Sequence, residues 1–319
     1  MNAPHPSLHD LRPPTLDLAQ AMIEGLSTSP KAVEPKFFYD ARGSALFDQI
    51  CAQPEYYLPA AEREIFAAHA PEIAASLGDG VVLIEPGAGS AIKIRWLLEH
   101  CRPGAYVPVD ISQTHLTTSV AALARAYPWL RIHAAIADYT HSLPIPAVVP
   151  AGPRAAFFPG SSLGNFEPGD AVAFLRLMRS AVGRGGHVII GVDRKKDRML
   201  LDAAYNDAAG VTARFNLNLL HRANAELGAD FELDGYTHKA FYNAARGRIE
   251  MHLVSRRPQV VRINGNVFQF AAGESLHTEN SYKYRPEEFI GLAERAGLWC
   301  HAHWTDARAY FGVYLLTVG

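Results

Sequence analysis

The chain has 319 residues, 49% of them apolar, which is enough material for one large domain or two. Its net charge is -2 with acidic and basic residues intermixed, and this argues against nucleic-acid or anionic-membrane partners, because both need clustered Lys and Arg. Three widely spaced cysteines and the lack of a long apolar run predict reduced thiols, no membrane span and a cytoplasmic location.

The first quarter of the chain is predicted to be a tail followed by helices. Prolines and polar residues fill 1–15 and predict a loose tail. Helices are predicted over 16–75, with interruptions at the turn-rich segments PKFFYDARGS and QPEYYLPA. Both segments carry paired aromatic residues beside Pro or Gly, so these rings are expected on loops.

From Val81 onward, strands and helices alternate. Five strands are predicted, and they are VVLIE (81–85), YVPVD (106–110), RIHAAIAD (131–138), AAFFPG (155–160) and GRGGHVIIGVD (183–193). Helices are predicted after the first, second and fourth of these strands, the first being SAIKIRWLLEH at 90–100. This alternation indicates an α/β fold with a mostly parallel, doubly wound sheet of the Rossmann-like type.

The pattern changes after residue 196. Residues 197–227 are predicted to be helical, and short strand-like segments follow over 238–280, before a helix and two strands complete the chain. We therefore predict that 61–196 and 284–319 form a nucleotide-binding domain. A second, mixed α+β lobe that binds substrate would comprise 16–60 and 197–283.

The first strand ends in a glycine turn, Glu85-Pro86-Gly87-Ala88-Gly89, that three kinds of nucleotide site could explain. A P-loop is excluded, since Gly-Lys-Ser/Thr is missing at the helix start. A dinucleotide-binding site is less well supported, because Ile92 occupies the position of the third glycine in the dinucleotide-binding motif. An acidic residue before Gly-x-Gly favours S-adenosylmethionine, a nucleoside that has no phosphate to place on a helix N-terminus.

Two further carboxylates follow neighbouring strands. Asp110 ends the second strand, where it can accept hydrogen bonds from both ribose hydroxyls, although an NAD enzyme also carries an acid there. Asp138 ends the third strand, where methyltransferases bind the adenine amino group, and Tyr139 can pack on the adenine ring. Together with Glu85, these residues predict a class I methyltransferase sheet with S-adenosylmethionine as the cofactor.

The methyl acceptor is expected beyond the fourth strand, which ends in FFPGSSLGN. This segment lacks the Asn/Asp-Pro-Pro-aromatic signature of enzymes that methylate nucleobase amines. A loop of small residues with a single amide, Asn165, suits a compact polar acceptor instead.

The sequence resembles the histidine-specific Nα-methyltransferases of ergothioneine biosynthesis, which convert L-histidine to the trimethylated betaine hercynine. The resemblance extends from about Pro35 to the C-terminus, and its motifs are PKFFYDARGSALFD, PEYY, GAGSAIKIRWLL, GSSLGN, YNDAAGVTARFN, RIEM and TENSYKYRP. Two positions depart from the family pattern: Tyr139 stands where Phe is expected, and SSLGN replaces a Thr-Ile variant.

The resemblance implies a role for each matching residue. Around the cofactor it places Tyr39, Gly87, Lys93, Asp110, Asp138 and Tyr139, and the acidic position of the glycine turn adds Glu85 to this set. Around the substrate it places Phe47, Tyr56, Gly160, Asn165, Tyr205, Met251, Glu279 and Ser281. Asn165 and Tyr39 are the predicted catalytic residues, no metal is expected, and the enzyme is expected to be a monomer that acts on L-histidine.

These assignments also make chemical sense from the side chains. A carboxylate and a hydroxyl two residues apart on one strand face can bind both nitrogens of an imidazole. An indole would leave that carboxylate unpaired, which favours histidine over tryptophan. The alternatives are an Nα-methyltransferase for another aromatic amino acid and a nicotinamide-dependent oxidoreductase.

Overall fold

The structure is a computed structural model that describes residues 6–11, 18–140 and 142–319. In these ranges the α-helices are α1 (Leu18–Ser27), α2 (Ala41–Cys51), α3 (Leu58–Leu77), α4 (Arg95–Leu98), α5 (Gln113–Ala126), α6 (Pro168–Val182), α7 (Arg198–Ala204), α8 (Val211–Leu227) and α9 (Pro286–Arg295). The strands are β1 (Ser7–Asp10), β2 (Lys31–Ala32), β3 (Val82–Pro86), β4 (Ala105–Asp110), β5 (His133–Ile136), β6 (Arg154–Phe158), β7 (His187–Asp193), β8 (Tyr236–Asn243), β9 (Arg248–Ser255), β10 (Gln259–Ile263), β11 (Asn266–Phe270), β12 (Ser275–Tyr282), β13 (Leu298–Thr305) and β14 (Phe311–Val318).

The chain divides into two compact units. The first, called the sheet unit below, comprises Met1–Pro13, Leu58–Lys195 and Lys283–Gly319. The second, called the inserted unit, comprises Pro14–Tyr57 and Lys196–Tyr282. No helix within the described ranges is both long and apolar enough to cross a bilayer, and Cys51, Cys101 and Cys300 form no disulfide.

The sheet unit is built on eight strands in the order β1-β5-β4-β3-β6-β7-β14-β13. The six strands from β1 to β7 in this order run parallel, whereas β14 is antiparallel to β7 and β13 is antiparallel to β14. The chain moves outward from β3 in one direction through β4 and β5 and in the other through β6 and β7. This confirms the predicted α/β, doubly wound fold and places its switch point beside β3, where such sheets bind ligands.

Burial explains why this sheet forms. Every residue of β3 is buried, and β4 is buried up to its last residue, as expected for central parallel strands covered on both faces. Helix α3 packs on β7 and β14, α5 on β4 and β5, and α6 on β6 and β7. The polar groups described below are found where these buried strands end.

Two local elements differ from the sequence-based prediction. Residues 7–10, assigned to a loose tail, form the edge strand β1, because Ser7 N and Leu11 N donate to Ile132 O and Ile136 O of the β5 segment at 3.0 and 2.9 Å. An edge strand is half exposed, so its polar sequence gives little hydrophobic signal. Residues 1–5 and 12–15 of that predicted tail lie outside the described residues.

The helix predicted at 90–100 is much shorter in the structure. Only Arg95–Leu98 are α-helical, because Gly87, Gly89 and Ala91 all have positive φ and prolong the turn after β3. Ile92 is 56% exposed and does not pack under a helix. The absence of a third glycine at this position therefore does not report on helix packing.

The inserted unit contains a four-stranded sheet in the order β2-β12-β9-β8 and a separate β10–β11 hairpin. Helix α8 packs on β8, β9 and α2, and the hairpin turns at Asn264 and Gly265, both with positive φ. The register of β12 against β9 shifts between His277 and Glu279. This β-bulge at Thr278 determines which side chains of β12 share a face.

Candidate functional site

The glycine turn after β3 is held against the end of β4. The amides of Gly87 and Ala88 both donate to Val109 O, at 2.8 and 3.2 Å. Gly87 has a φ of +67°, and a Cβ there would lie 3.0 Å from the hydroxyl oxygen of Tyr139. Glycine is required at this position both for its backbone conformation and for the close approach of the Tyr139 ring.

Asp110 fastens the same turn from the end of β4. Its Oδ2 accepts a hydrogen bond from Gly89 N at 2.9 Å, and its Oδ1 accepts one from Ser112 N at 2.8 Å. Burial raises the pKa of Asp110, and the two amides partly oppose that rise. A carboxylate oxygen can accept more than one hydrogen bond. Asp110 can therefore receive two neighbouring hydroxyls while it holds the turn.

Asp138 and Tyr139 follow β5. Asp138 is 7% exposed, and its Oδ1 accepts hydrogen bonds from the amide and the hydroxyl of Thr140 at 3.0 and 2.5 Å. The Tyr139 ring lies 6.1 Å from Phe158 and 5.9 Å from Phe174, measured between centroids. Burial raises the pKa of Tyr139, so its ring is neutral. An aromatic surface beside a carboxylate suits a purine with an exocyclic amine.

Glu85 is the least accessible of the predicted cofactor residues. It is 2% exposed, and its Oε2 accepts a 2.5 Å hydrogen bond from the hydroxyl of Tyr106, which is also buried. Burial raises the pKa of Glu85 to about 8, although the hydrogen bond from Tyr106 favours the charged form. Glu85 is thus largely protonated at neutral pH, and its contact with the cofactor stays a prediction.

This raised pKa predicts a pH-dependent stability. The ordinary pKa of a glutamate is about 4.5, so the folded state binds a proton that the unfolded state releases. The resulting stabilisation is complete below about pH 4.5 and is lost as the pH rises through about 8. Between about pH 5 and 8, we expect the free energy of unfolding of the wild type to fall relative to Glu85→Gln, by up to about 1.4 kcal/mol per pH unit.

Urea unfolding of both proteins at several pH values measures this difference. The glutamine side chain can still accept the hydrogen bond from Tyr106, so the comparison isolates the titrating carboxyl. Parallel pH profiles for the two proteins would show that Glu85 does not change protonation on folding.

Lys93 and Gly160 are connected by a residue that the sequence-based prediction missed. Glu62 of α3 is fully buried, its Oε2 accepts from Lys93 Nζ at 2.6 Å, and its Oε1 accepts from Gly160 N at 2.8 Å. Glu62 occupies an apolar position of α3, in spacing with Leu58, Ile65 and Phe66. A lone carboxylate on the buried stripe of a helix was the signal that could have identified it.

Asn165 follows β6 in a tight loop. Gly160 and Ser161 have φ values of +86° and +64°, and Ser162–Asn165 form a single 3-10 turn. Ser161 is 3% exposed, and its hydroxyl accepts a hydrogen bond from Asp193 N at 2.8 Å. A buried non-glycine residue in the left-handed region is uncommon and requires such support from its surroundings.

In the inserted unit, the bulge on β12 sets the environment of Glu279 and Ser281. Glu279 is 9% exposed and lies opposite Met251 of β9, so the two side chains share a face of the sheet. Ser281 is two residues farther on that face, and its hydroxyl accepts a 2.8 Å hydrogen bond from the Tyr205 hydroxyl. The structure therefore brings Glu279, Ser281, Met251 and Tyr205 together.

The four predicted aromatic residues of this unit form one cluster with Phe215 of α8, which was not predicted. Centroid distances are 5.7 Å for Tyr39–Phe47, 6.4 Å for Phe47–Tyr56 and 6.1 Å for Tyr56–Tyr205. Phe215 lies 5.6 Å from Tyr39 and 6.1 Å from Phe47. Burial, with the nearby charges of Tyr205 and Glu279 among others, raises the pKa of Tyr56 well above its usual value. Tyr56 is therefore uncharged at neutral pH, and the five rings together offer aromatic faces of the kind that bind cations.

A hydrogen-bonded chain behind this cluster holds Tyr205. The bulge residue Thr278 donates to Asn216 Oδ1 at 2.7 Å, and Asn216 Nδ2 lies 2.9 Å from His238 Nδ1. An amide NH₂ can only donate, so His238 Nδ1 accepts and its Nε2 carries the proton. That Nε2 then donates to the carbonyl oxygen of Tyr205 at 2.9 Å. Asn216 and His238 thus fix the backbone of Tyr205, which is predicted to bind the substrate.

The two units hold different parts of the predicted site. Glu85, Gly87, Lys93, Asp110, Asp138 and Tyr139 belong to the sheet unit, as do Gly160 and Asn165. Tyr39 belongs to the inserted unit together with the remaining substrate residues. The roles of Tyr39 toward the cofactor and of Gly160 and Asn165 toward the substrate stay predictions.

The residues of the sheet unit fit S-adenosylmethionine by their chemistry. Asp110 offers acceptors for a ribose diol, Asp138 and Tyr139 suit an adenine, and the ammonium group of Lys93 suits a carboxylate. Helix α4 has only four residues, so the turn lacks the long helix N-terminus on which nucleotide phosphates are usually bound. These side chains therefore match an adenosine that carries no phosphates.

Comparisons with known proteins agree with this chemistry. Residues 18–318 match the family described as "Histidine-specific methyltransferase, SAM-dependent". The histidine N-alpha-methyltransferase of Mycolicibacterium smegmatis is 40% identical over 91% of this chain and 92% of its own length. That of Mycobacterium tuberculosis is 38% identical over 94% of each chain. Ergothioneine biosynthesis protein 1 of Neurospora crassa is 29% identical over 90% of this chain and 33% of its own length.

Proposed function

This chain belongs to the family of histidine-specific, S-adenosylmethionine-dependent methyltransferases, and we propose that it converts L-histidine to Nα-trimethylhistidine, hercynine, the first step of ergothioneine biosynthesis. The observation that carries the proposal is the buried carboxylate of Glu279 beside the hydroxyl of Ser281 on one face of β12. An imidazole has two ring nitrogens, and this pair offers one polar partner for each.

In this proposal, most contacts to the methyl donor come from residues of the sheet unit. Asp110 accepts hydrogen bonds from the ribose hydroxyls, Asp138 accepts one from the adenine amine, and Tyr139 packs on the adenine ring. Lys93 pairs with the methionine carboxylate of the donor. Gly87 keeps the turn free of side-chain atoms, and Tyr39 contributes an aromatic face for the sulfonium.

Most contacts to the amino acid would come from residues of the inserted unit. Glu279 and Ser281 bind the imidazole, while Met251 and Phe47 line its apolar edge. The hydroxyls of Tyr56 and Tyr205 bind main-chain groups of histidine, and Asn165 with the loop at Gly160 binds the α-amine. The hydrogen bond from Tyr205 to Ser281 supports this arrangement, because it orders two of the proposed contacts before substrate arrives.

When bound, S-adenosylmethionine would supply an activated sulfonium methyl group, which a neutral amine can take in one displacement with S-adenosylhomocysteine as the leaving group. The chain therefore chiefly aligns the amine and excludes water. Before each transfer the ammonium form of the nitrogen would lose one proton to solvent, and Asn165 would orient the lone pair that this exposes. The aromatic cluster tolerates the quaternary ammonium that forms at the end, because ring faces attract cations without forming hydrogen bonds to them.

The proposal includes a monomeric enzyme and a cytoplasmic location, where the three free cysteines would stay reduced. Sedimentation velocity of the purified chain tests the oligomeric state, and a single species of monomer mass is expected.

Mass spectrometry of one incubation tests the reaction itself. The purified chain is mixed with S-adenosylmethionine and either histidine or tryptophan. We expect histidine to gain one, two and then three methyl groups, whereas tryptophan stays unmodified. Methylation of tryptophan but not of histidine would overturn the substrate assignment, and the absence of any methyl transfer would overturn the proposed reaction.

A further inference from the structure

Glu62 is a buried carboxylate whose two oxygens serve different parts of the sheet unit. One oxygen accepts from Lys93, which lies in the turn after β3, and the other accepts from the amide of Gly160, which begins the loop after β6. The side chain of Glu62 is 1% exposed and that of Lys93 is 29% exposed. Burial of an unpaired carboxylate would cost several kcal/mol, so these contacts are what allow Glu62 to occupy this position.

Two glycines make room for this arrangement. A Cβ at Gly191 in β7 would lie 2.3 Å from Glu62 Oε1, and a Cβ at Gly160 would lie 2.8 Å from Lys93 Nζ. Either Cβ would displace the side-chain end that it meets, and Gly160 in addition has a φ of +86°, which a non-glycine residue rarely adopts. The fold thus leaves space for the carboxylate on β7 and for the ammonium group at the loop.

The partial exposure of Lys93 matters for its chemistry. An ammonium group has three N–H donors, and Glu62 Oε2 receives one of them. The carboxylate therefore restricts a flexible four-carbon side chain to one position while leaving donors for an anionic group of a ligand. Without that anchor, the lysine would lose rotamer entropy each time it bound such a group.

The second contact of Glu62 holds the loop after β6. Gly160 N is held by Glu62, and the next residue, Ser161, is held through its hydroxyl by Asp193 N. Both residues have positive φ, a conformation that needs such support when the second residue is a serine. Asn165 lies at the end of the same loop, within one 3-10 turn of Ser161.

We propose that Glu62 is a positioning residue that fixes Lys93 and the Gly160–Asn165 loop relative to each other, and so aligns the methyl donor with the group that orients the amine. This rests on the proposed function, in which Lys93 contacts the donor and Asn165 contacts the amine. Glu62 itself touches neither ligand. Its two contacts predict two separable effects, one on donor affinity and one on turnover.

Two substitutions separate the contacts. Glu62→Gln keeps an oxygen for Gly160 N but removes the charge that holds Lys93, so we expect weaker donor binding by about 10-fold with kcat within about 3-fold of wild type. Glu62→Ala removes both contacts, and we expect an additional fall in kcat of about 30-fold as the loop loses its anchor. Glu64→Gln, on the exposed face of the same helix, is the matched control and should behave as wild type.

The measurements are calorimetric affinity for S-adenosylhomocysteine, and kcat and KM from release of S-adenosylhomocysteine with whichever amine the wild type methylates. The affinity measurement does not depend on the identity of the amine, so a failure of the histidine assignment leaves the test of Glu62 intact. A double-mutant cycle that combines Glu62→Gln with Lys93→Gln measures the coupling between the two residues, which a purely structural role of Glu62 would not produce. The losses of affinity in Glu62→Gln and Lys93→Gln should not add in the double variant.

Equal changes of kcat and KM in the glutamine and alanine variants would overturn the proposal. So would additive effects with Lys93→Gln, or variants that lose thermal stability while their folded fraction keeps wild-type kinetics. If the alanine variant yields no folded protein, Glu62→Asp takes its place, because the shorter side chain cannot reach both partners. In either case, Glu62→Gln and the double-mutant cycle with Lys93→Gln test whether Glu62 supports binding of the methyl donor through Lys93.

Discussion

Glu279→Gln is expected to lower kcat/KM for histidine by about 100-fold while the affinity for S-adenosylhomocysteine stays within about 2-fold of wild type. Glu279 is 9% exposed and lies on the face of β12 that also carries Ser281. Loss of one partner from a buried, charged hydrogen bond costs about 2–5 kcal/mol, and each 1.4 kcal/mol is tenfold in affinity. The glutamine has nearly the same shape, so the loss reports on charge rather than on packing.

Steady-state kinetics and calorimetry on the same preparations measure both quantities. Glu274→Gln is the matched control, since Glu274 immediately precedes β12 and its carboxylate is paired with Lys31. This control should retain kcat/KM within about 2-fold, as expected for a partly exposed ion pair. An equal loss of histidine and cofactor affinity in Glu279→Gln would remove Glu279 from the substrate site.

The sequence was informative where geometry follows from strand order alone. Carboxyl ends of parallel strands meet at one edge of a sheet, so residues after three predicted strands could be grouped without coordinates. The structure does bring Gly87, Asp110 and Tyr139 together, through the contact of Gly89 with Asp110 and the approach of Gly87 to Tyr139. The alternation along β12 likewise placed Glu279 and Ser281 on one face.

Contacts between distant segments left no such pattern. Glu62 and Gly160 are separated by 98 residues, and Asn216 and Thr278 by 62, so no local spacing connects them. Only the mismatch of a carboxylate in the apolar stripe of α3 marked Glu62. The start of the helix after β3 was mispredicted because Ala91 has a positive φ, a conformation that an alanine gives no reason to expect.

Asp110→Asn should weaken binding of S-adenosylhomocysteine by about 100-fold with little loss of stability in the ligand-free protein. The carboxylate is proposed to accept two ribose hydroxyls, and hydrogen bonds to a charged group contribute about 1.5–3 kcal/mol each. An asparagine has a single acceptor oxygen. It would have to serve the ribose and the amides of Gly89 and Ser112 at the same time.

The raised pKa of Asp110 explains why the ligand-free protein should tolerate the change. A raised pKa means that the folded state disfavours the charged carboxylate relative to the unfolded state. Replacement by a neutral amide relieves that cost and offsets part of the lost backbone hydrogen bonding. The thermal midpoint without ligand should therefore change by only a few degrees, whereas the increase on adding S-adenosylhomocysteine should be much smaller than in wild type.

Asp170→Asn supplies the control, because Asp170 is exposed in the first turn of α6. Its midpoints with and without ligand should match those of wild type. If Asp110→Asn instead lowers both midpoints equally and keeps the full ligand-induced increase, Asp110 serves the turn and not the ribose. Stabilisation by ligand depends on affinity for the folded state alone, so this difference separates the two roles of the carboxylate.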